Sequence, residues 1–462
     1  MKPSILLLFL LAFCTLNAQT FEVQNIKYSG DNDNRINLVI MGDGYLPSEF
    51  DAFEAHSNAF VNELFSQSPF SEYTDYFNVY IIKVASAESG ATHPGTAPDE
   101  PTSPPVPVMN VNNFFGTQYD SYNIHRLLFS SNYALINNVL ANNFPDFDIA
   151  LILVNAPYYG GSGGAFAFAS TDESSIEIAI HELGHSFAFL KDEYYPGDAL
   201  VQEAINMTQN NNPATIRWRN WLNYNGVGIY PYGTSGTPAT WYRPHQLCKM
   251  QYLGYPFCNV CKEGIIERIH GLVSPIVGYS PSQTSHTDPS LPLDISLDLV
   301  LPIPNTLATQ WTLNGSDFST NLNAITLTEP DMVLGTNTLT ASITDNSELL
   351  RVDEHENFHT YTVTWTIQMN NLGIGDIISE QHTLAIKTYP NPTQDVLNVV
   401  IESQSLQNFD ITLTSIDGKS IQTVRANGSS ATLDLGDLST GIYIMGISHQ
   451  GTILAQKKIV KE

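Results

Sequence analysis

The 462-residue sequence predicts a multidomain chain, with a layered α/β domain followed by two all-β domains. Three observations carry this expectation. Between Arg35 and about Arg268, buried apolar runs alternate with amphipathic stretches. After Val273 the texture changes to short period-two runs. A Gly/Asn-rich stretch over 370–375 then separates those runs from a further β-patterned segment. The expected boundaries are 1–18 for a leader, 19–272 for the α/β domain, 273–372 for a β-sandwich and 383–462 for the last unit.

Taken in order, Met1-Lys2-Pro3-Ser4 and the apolar run Ile5 to Phe13 read as a signal peptide ending near Ala18, with Cys14 leaving with it. The run is too short for a membrane anchor, and no other stretch is long enough to span a bilayer. Ile36–Met41, Val79–Val84 and Ile149–Val154 look like strands buried on both faces. Helical segments are expected near Ser48 to Phe65 and Tyr122 to Leu140. Residues 86–110, rich in Pro, Ser, Thr and Gly, read as a long surface loop. Leu293–Leu299 and Tyr361–Ile367 alternate as half-buried strands do, and Asn314-Gly315 signals a hairpin. The run Asp353-Glu354-His355-Glu356 with His359 reads as a solvated loop.

The net charge is −27, and no Lys/Arg cluster could follow a phosphate backbone or an anionic lipid surface. Nucleic acid is excluded as a partner on that ground. Without Cys14, three cysteines remain in an oxidising compartment, Cys248, Cys258 and Cys261. They make either one disulfide plus a free thiol, with a disulfide favoured outside the cell, or, together with His245, a set for a second, structural zinc ion.

The chemistry concentrates in Ser174 to Leu190. Ile176, Ile180, Leu183, Phe187 and Leu190 recur at helical spacing, and Ser174 with Glu177 has the form of a capping box. On that helix His181 and His185, four residues apart, project from one face and suit a single metal ion. Glu182 lies about 100° round the helix and can act on water at that metal as general base without being a ligand. Asp192-Glu193-Tyr194-Tyr195-Pro196-Gly197 ends the helix. Asp192, just past the end, is the expected third ligand, with Glu193 and His245 in reserve. Three protein ligands with an open fourth position make a catalytic rather than a structural zinc site.

The string His181-Glu182-Leu183-Gly184-His185, then Leu190 and Asp192-Glu193-Tyr194, resembles the signature of the IgA-peptidase-type metallopeptidases. Met41-Gly42-Asp43-Gly44-Tyr45, Ser68-Pro69-Phe70, Glu88-Ser89-Gly90 and the segment from Cys248-Lys249-Met250 to Cys261 agree with it, so the likeness covers about residues 25–270. The resemblance implies a metzincin-like zincin domain in which Met250 forms a turn beneath the metal. An ordinary core methionine is the competing reading of Met250. The sequence departs from the metzincin pattern in placing the third ligand one residue later, as Asp rather than His. The implied reaction is zinc-assisted peptide hydrolysis, with Tyr194 or Tyr242 as candidate oxyanion donors.

Gly160-Gly161-Ser162-Gly163-Gly164, ahead of Ala165 to Ser170, is either a sheet edge that receives an extended peptide or a flexible hairpin. At the other end, Tyr389-Pro390-Asn391-Pro392, Asp417-Gly418-Lys419, Leu438 to Tyr443 and Lys457 to Lys461 resemble the sorting domain of type IX secretion substrates. That likeness implies a Gram-negative host, export by the type IX machinery and a location outside the cell. The leading expectation is therefore a secreted zinc endopeptidase acting on extracellular, including host glyco-, protein. A surface adhesin on the same fold and a cell-wall peptide amidase are the alternatives.

Overall fold

The computed structural model describes residues 20–103, 105–370, 377–378, 384–403, 408–426, 428–449 and 452–462. The expected signal peptide, Cys14 and most of the 370–375 linker lie outside them. The described chain is rich in β-sheet, carries few helices and divides into two compact units. The first takes in most of the chain up to Ile367, and the second is essentially Gln368–Glu462.

The first unit is built on a six-stranded sheet. Its strands are β1 (Glu22–Lys27), β2 (Ile36–Asp43), β3 (Phe77–Lys83), β4 (Ile149–Val154), β5 (Gly161–Ser162) and β6 (Ala167–Ala169), in the order β1-β3-β2-β4-β6-β5. The central four run parallel, and β1 and β5 lie antiparallel at the two ends. Alternation explains why β2 and β4 are buried throughout. Ile36, Leu38, Ile40, Ile149, Leu151 and Leu153 enter one core, while Val39, Met41, Ala150, Ile152 and Val154 enter another.

Helices α1 (Phe50–Leu64), α3 (Ser175–Ala188) and α4 (Asn259–Leu272) contribute to the first core, and α2 (Tyr133–Asn143) to the second. Two short strands, β7 (Tyr230–Pro231) and β8 (Tyr242–Arg243), pair separately.

Two sequence expectations change here. The helix expected from Tyr122 starts only at Tyr133, because Asp120, Tyr122 and Asn123 hold left-handed backbone that no helix accepts. The 86–110 stretch is irregular as expected, yet it is anchored. Buried Asp43, at the end of β2, accepts bonds from Phe115 N (2.9 Å), Thr117 N (3.2 Å) and Thr117 Oγ1 (2.7 Å). Gly44 (φ 71°) lies against Gly90, where an added Cβ would sit 2.1 Å from the Gly90 carbonyl oxygen.

Residues from 276 onward form two further sheets, antiparallel except where β10 runs alongside β16. The smaller joins β9 (Ile276–Ser280), β11 (Leu293–Leu299) and β14 (Ala324–Leu327). The larger joins β10 (Ser285–Thr287), β12 (Leu307–Leu313), β13 (Ser316–Thr320), β15 (Gly335–Asp345) and β16 (Thr360–Met369). The Asn314-Gly315 hairpin stands where the sequence predicts it, with positive φ at both residues.

The expected boundary at 272/273 falls inside the first compact unit, and the physical reason is a buried polar hub. Asp345 accepts Tyr73 Oη at 2.5 Å and His270 Nε2 at 2.8 Å on one oxygen, and Thr306 Oγ1 at 2.6 Å and Ser347 N at 3.0 Å on the other. His359 is buried with Nε2 3.3 Å from Glu267, and Asp353 pairs with Arg219. The run read as a solvated loop is thus partly packed, since its charges meet partners far away in sequence.

The second unit is all β. β17 (Ile377–Ile378), β20 (Phe409–Ser415), β21 (Ser420–Ala426), β23 (Gly441–His449) and β24 (Thr452–Lys461) form one antiparallel sheet. β18 (Leu384–Tyr389), β19 (Val396–Ser403) and β22 (Ser430–Asp434) form the other. Leu397, Val399, Ile411, Leu413, Met445 and Ile447 alternate into a shared core. No helix among the described residues is long and apolar enough to cross a membrane.

Candidate active site

Helix α3 packs Ala179, Ile180, Leu183 and Phe187 into the core, which leaves His181 and His185 together on an adjacent face. The capping box does not form. Glu177 instead pairs with buried Lys249 and accepts Gln67 Nε2 at 2.7 Å and Gly254 N at 2.9 Å. Phe189 turns left-handed and ends the helix, so the following chain folds back and brings Asp192 to the histidines.

His181 Nδ1 lies 2.9 Å from the Lys249 carbonyl, and His185 Nδ1 lies 2.7 Å from that of Leu190. A carbonyl oxygen only accepts, so each Nδ1 carries a hydrogen and each Nε2 is aimed at the other. The Nε2 atoms are 3.2 Å apart, and Asp192 Oδ1 lies 3.3 Å from each. Asp192 Oδ1 is buried and makes no hydrogen bond of ordinary geometry. Three ligands on a tetrahedral ion with bonds of about 2.0–2.1 Å stand roughly 3.3–3.4 Å apart, so this triangle fits a zinc-class ion.

The electrostatics agree. Burial opposes charge on His185, but Asp192 outweighs it and holds His185 up at about 9. Burial likewise opposes ionisation of Asp192, and the two imidazoles overcome it and push that carboxyl down. The pocket therefore favours positive charge between these three groups. Glu182 stands beside them, its carboxyl raised by burial and drawn the other way by His181 and His185.

Residues 24–236 match the IgA Peptidase M64 family model. The match supports a peptidase in this segment, and the trio of His181, His185 and Asp192, with Glu182, lies inside it. Residues 387–462 match the secretion system C-terminal sorting domain, which supports secretion. No curated protein matches the chain. Among solved structures, a β-glucuronidase from Parabacteroides merdae aligns at 7% identity over 51% of this chain and 30% of that chain, with a TM-score of 0.15. Dimeric latent PorU from Porphyromonas gingivalis aligns at 12% over 40% and 20%, also with a TM-score of 0.15. The chain spans less than a third of each, and neither likeness bears on fold or function.

The remaining expected site residues separate into those near the trio and those away from it. Tyr194 lies beside it, its hydroxyl raised by burial and by the charges of Asp192 and Glu182. Tyr242 sits on β8, where its hydroxyl accepts Asn211 Nδ2 at 3.1 Å. Met250 is fully buried beneath α3, where a Cβ on Gly184 would stand 2.8 Å from its sulfur. Its carbonyl accepts Glu193 N at 2.7 Å.

His245 joins neither the trio nor the cysteines, a correction to both its readings. Its ring accepts Leu247 N at 2.9 Å and lies 3.0 Å from the Asn225 carbonyl. Cys248, Cys258 and Cys261 are buried free thiols, and the fourth group among them is Glu193.

The glycine run also reads differently in place. β5 is not an open edge at Gly161 and Ser162, because Gly161 N donates to Arg126 O (3.1 Å) and Ser162 Oγ to Leu128 O (2.6 Å). What glycine supplies is room, since a Cβ on Gly163 would fall 2.1 Å from Glu182 Oε2. Sequence reasoning missed Arg126, whose charge acts on Glu182 and Tyr194, and the roles that Gly163 and Lys249 play beside the trio. Lys249 carries no local signal, because its role comes from a contact 68 residues from His181.

Proposed function

We propose that the chain is a secreted zinc endopeptidase of metzincin-like architecture, with His181, His185 and Asp192 holding the ion and Glu182 acting as general base. The observation that carries this reading is the triangle of two Nε2 atoms and Asp192 Oδ1 with edges of 3.2–3.3 Å, beside a carboxylate that is not part of it.

A bound zinc ion supplies Lewis acidity, making water more acidic and polarising a scissile carbonyl. Lys249 and Leu190 fix the two rings through their carbonyls, so no reorganisation is needed at the moment of reaction. Glu182, raised by burial, takes the proton of the attacking water and returns it to the leaving amine. Gly163 leaves its carboxylate space to do so. Tyr194, whose raised pKa keeps it protonated, donates a hydrogen bond to the developing oxyanion.

The sorting-domain match supports release or display outside the cell, where extracellular protein is the substrate class and the type IX machinery the export partner. The test is mass-spectrometric mapping of new N-termini in unfolded protein and in peptidoglycan peptide, incubated with the purified chain and with Glu182→Gln. Internal cleavage of protein that vanishes in the variant is the expected result. Cleavage confined to the cell-wall peptide would replace the reading with an amidase. Tight binding with no cleavage of either would replace it with an adhesin.

A further inference from the structure

A second group of four donors lies outside the catalytic trio, two of them, His93 and Glu100, in the stretch read from sequence as a surface loop and one, His125, in the helix expected from Tyr122. His93 Nε2 is 3.1 Å from Glu100 Oε2 and 3.4 Å from Asp120 Oδ1. His125 Nδ1 is 3.1 Å and 3.2 Å from the same two oxygens. We propose that His93, Glu100, Asp120 and His125 bind a structural divalent ion of the zinc class.

The geometry repeats that of the trio with one more donor. All four nitrogen–oxygen edges fall between 3.1 and 3.4 Å, close to the roughly 3.3 Å spacing of ligands around a tetrahedral ion. His93 Nδ1 donates to the Pro107 carbonyl at 2.8 Å, so its other nitrogen faces two carboxylates. The His93 ring and the Asp120 side chain are each 1% exposed. The His125 ring is 10% and the Glu100 side chain 26% exposed, so two carboxylates and two imidazoles converge in a largely buried cluster where a cation between them would offset the carboxylates' repulsion. Two nitrogens and two carboxylate oxygens suit zinc and its first-row neighbours, whereas calcium and magnesium prefer all-oxygen sets. With four protein donors there is no open position, so the site is structural.

Its placement gives it a purpose. Residues 86–130 carry almost no regular structure, and the four donors tie their two ends together. Arg126, next to His125, pairs through its carbonyl with Gly161 of β5 and acts electrostatically on Glu182. The ion thus fixes the backbone that flanks the candidate catalytic base.

The test is anomalous diffraction above the zinc edge from crystals of the full chain purified without chelator, with metal analysis of His93→Ala/His125→Ala. An anomalous peak among the four side chains, and one equivalent fewer in the double variant, is the expected result. The ion lost in His181→Ala/His185→Ala should remain. No peak there in crystals that show one at the trio would overturn the proposal, whether or not the double variant folds. Unchanged metal content in a folded double variant would do the same.

An independent cluster carries a second inference. Cys248 Sγ and Cys261 Sγ are 3.8 Å apart, nearly twice a disulfide length and close to the sulfur–sulfur spacing on a tetrahedral ion with bonds of about 2.3 Å. Glu193 Oε1 lies 3.1 Å from Cys261 Sγ and 3.7 Å from Cys258 Sγ, while its buried Oε2 has no partner. The geometry points to a structural zinc held by three thiolates and Glu193, directly behind Asp192 and Met250. Alkylation mapping of the full chain, unfolded in chelator without reductant, tests it. Modification of all three cysteines, with one zinc released per chain beyond those of the two histidine sites, is expected. A disulfide-linked peptide joining any two of them would overturn it.

Discussion

Asp192, half-buried with its Oδ1 out of solvent, and Asp345, fully buried, both stand beside histidine, and they differ in what completes them. Each oxygen of Asp345 accepts two hydrogen bonds, from Tyr73 and His270 and from Thr306 and Ser347. Asp192 Oδ1 accepts none of ordinary geometry and faces two imidazole nitrogens at equal distance. The first carboxylate is satisfied by the fold and holds two layers of the chain together. The second is left open by the fold, as the cation proposed for the trio requires. Burial and pairing alone do not distinguish structure from chemistry, whereas hydrogen-bond completeness does.

The comparison breaks most sharply at Asp192. Asp192→Ala should weaken metal binding by more than about 100-fold, beyond the cost of losing an outer-shell partner. Competition against a chromogenic chelator measures this, and the unfolding midpoint of the metal-free protein should move little. The reverse pattern is expected at the hub. Asp345→Ala should cost about 3–5 kcal/mol in denaturant unfolding, because it strands the polar groups around it, with metal at the trio retained.

Acid sharpens the same contrast. Burial opposes ionisation of Asp345, but His270, Thr306 and Tyr73 bring its value down to about 2, below the usual 3.8. Its contribution is present above about pH 4 and lost as the pH falls towards 2. The loss should be about 2 kcal/mol in the wild type and absent in Asp345→Ala, read from urea midpoints across that window. Tyr73→Phe removes one donor of four and leaves the other three in place. It should cost about 1–3 kcal/mol without changing metal content.

Much of the first unit is legible in sequence because its signals are local. Ile149–Val154 is an uninterrupted apolar run, and it is a buried strand over the residues read from the sequence. The histidines of the trio share one helix face, so spacing alone brings them together. Asp192 needed only the nearby helix end. The second histidine cluster was invisible, because residues 93, 100, 120 and 125 follow no period and meet only through a loop that Asp43 gathers in. Glu193 was read as a reserve ligand for the catalytic ion, but its carboxylate lies among Cys248, Cys258 and Cys261 instead. The capping box at Ser174 failed for a similar reason, since a buried lysine outcompetes the helix end for Glu177.

That lysine touches α3 twice. Its ammonium takes Glu177 and its carbonyl takes His181, four residues on and one turn along the same face. A slip of the helix by one residue, about 1.5 Å, would break both contacts together. The bearing of the first histidine is therefore set by a two-point clamp from a distant stretch of chain, and the ion proposed for the trio would meet a socket whose alignment it does not have to impose.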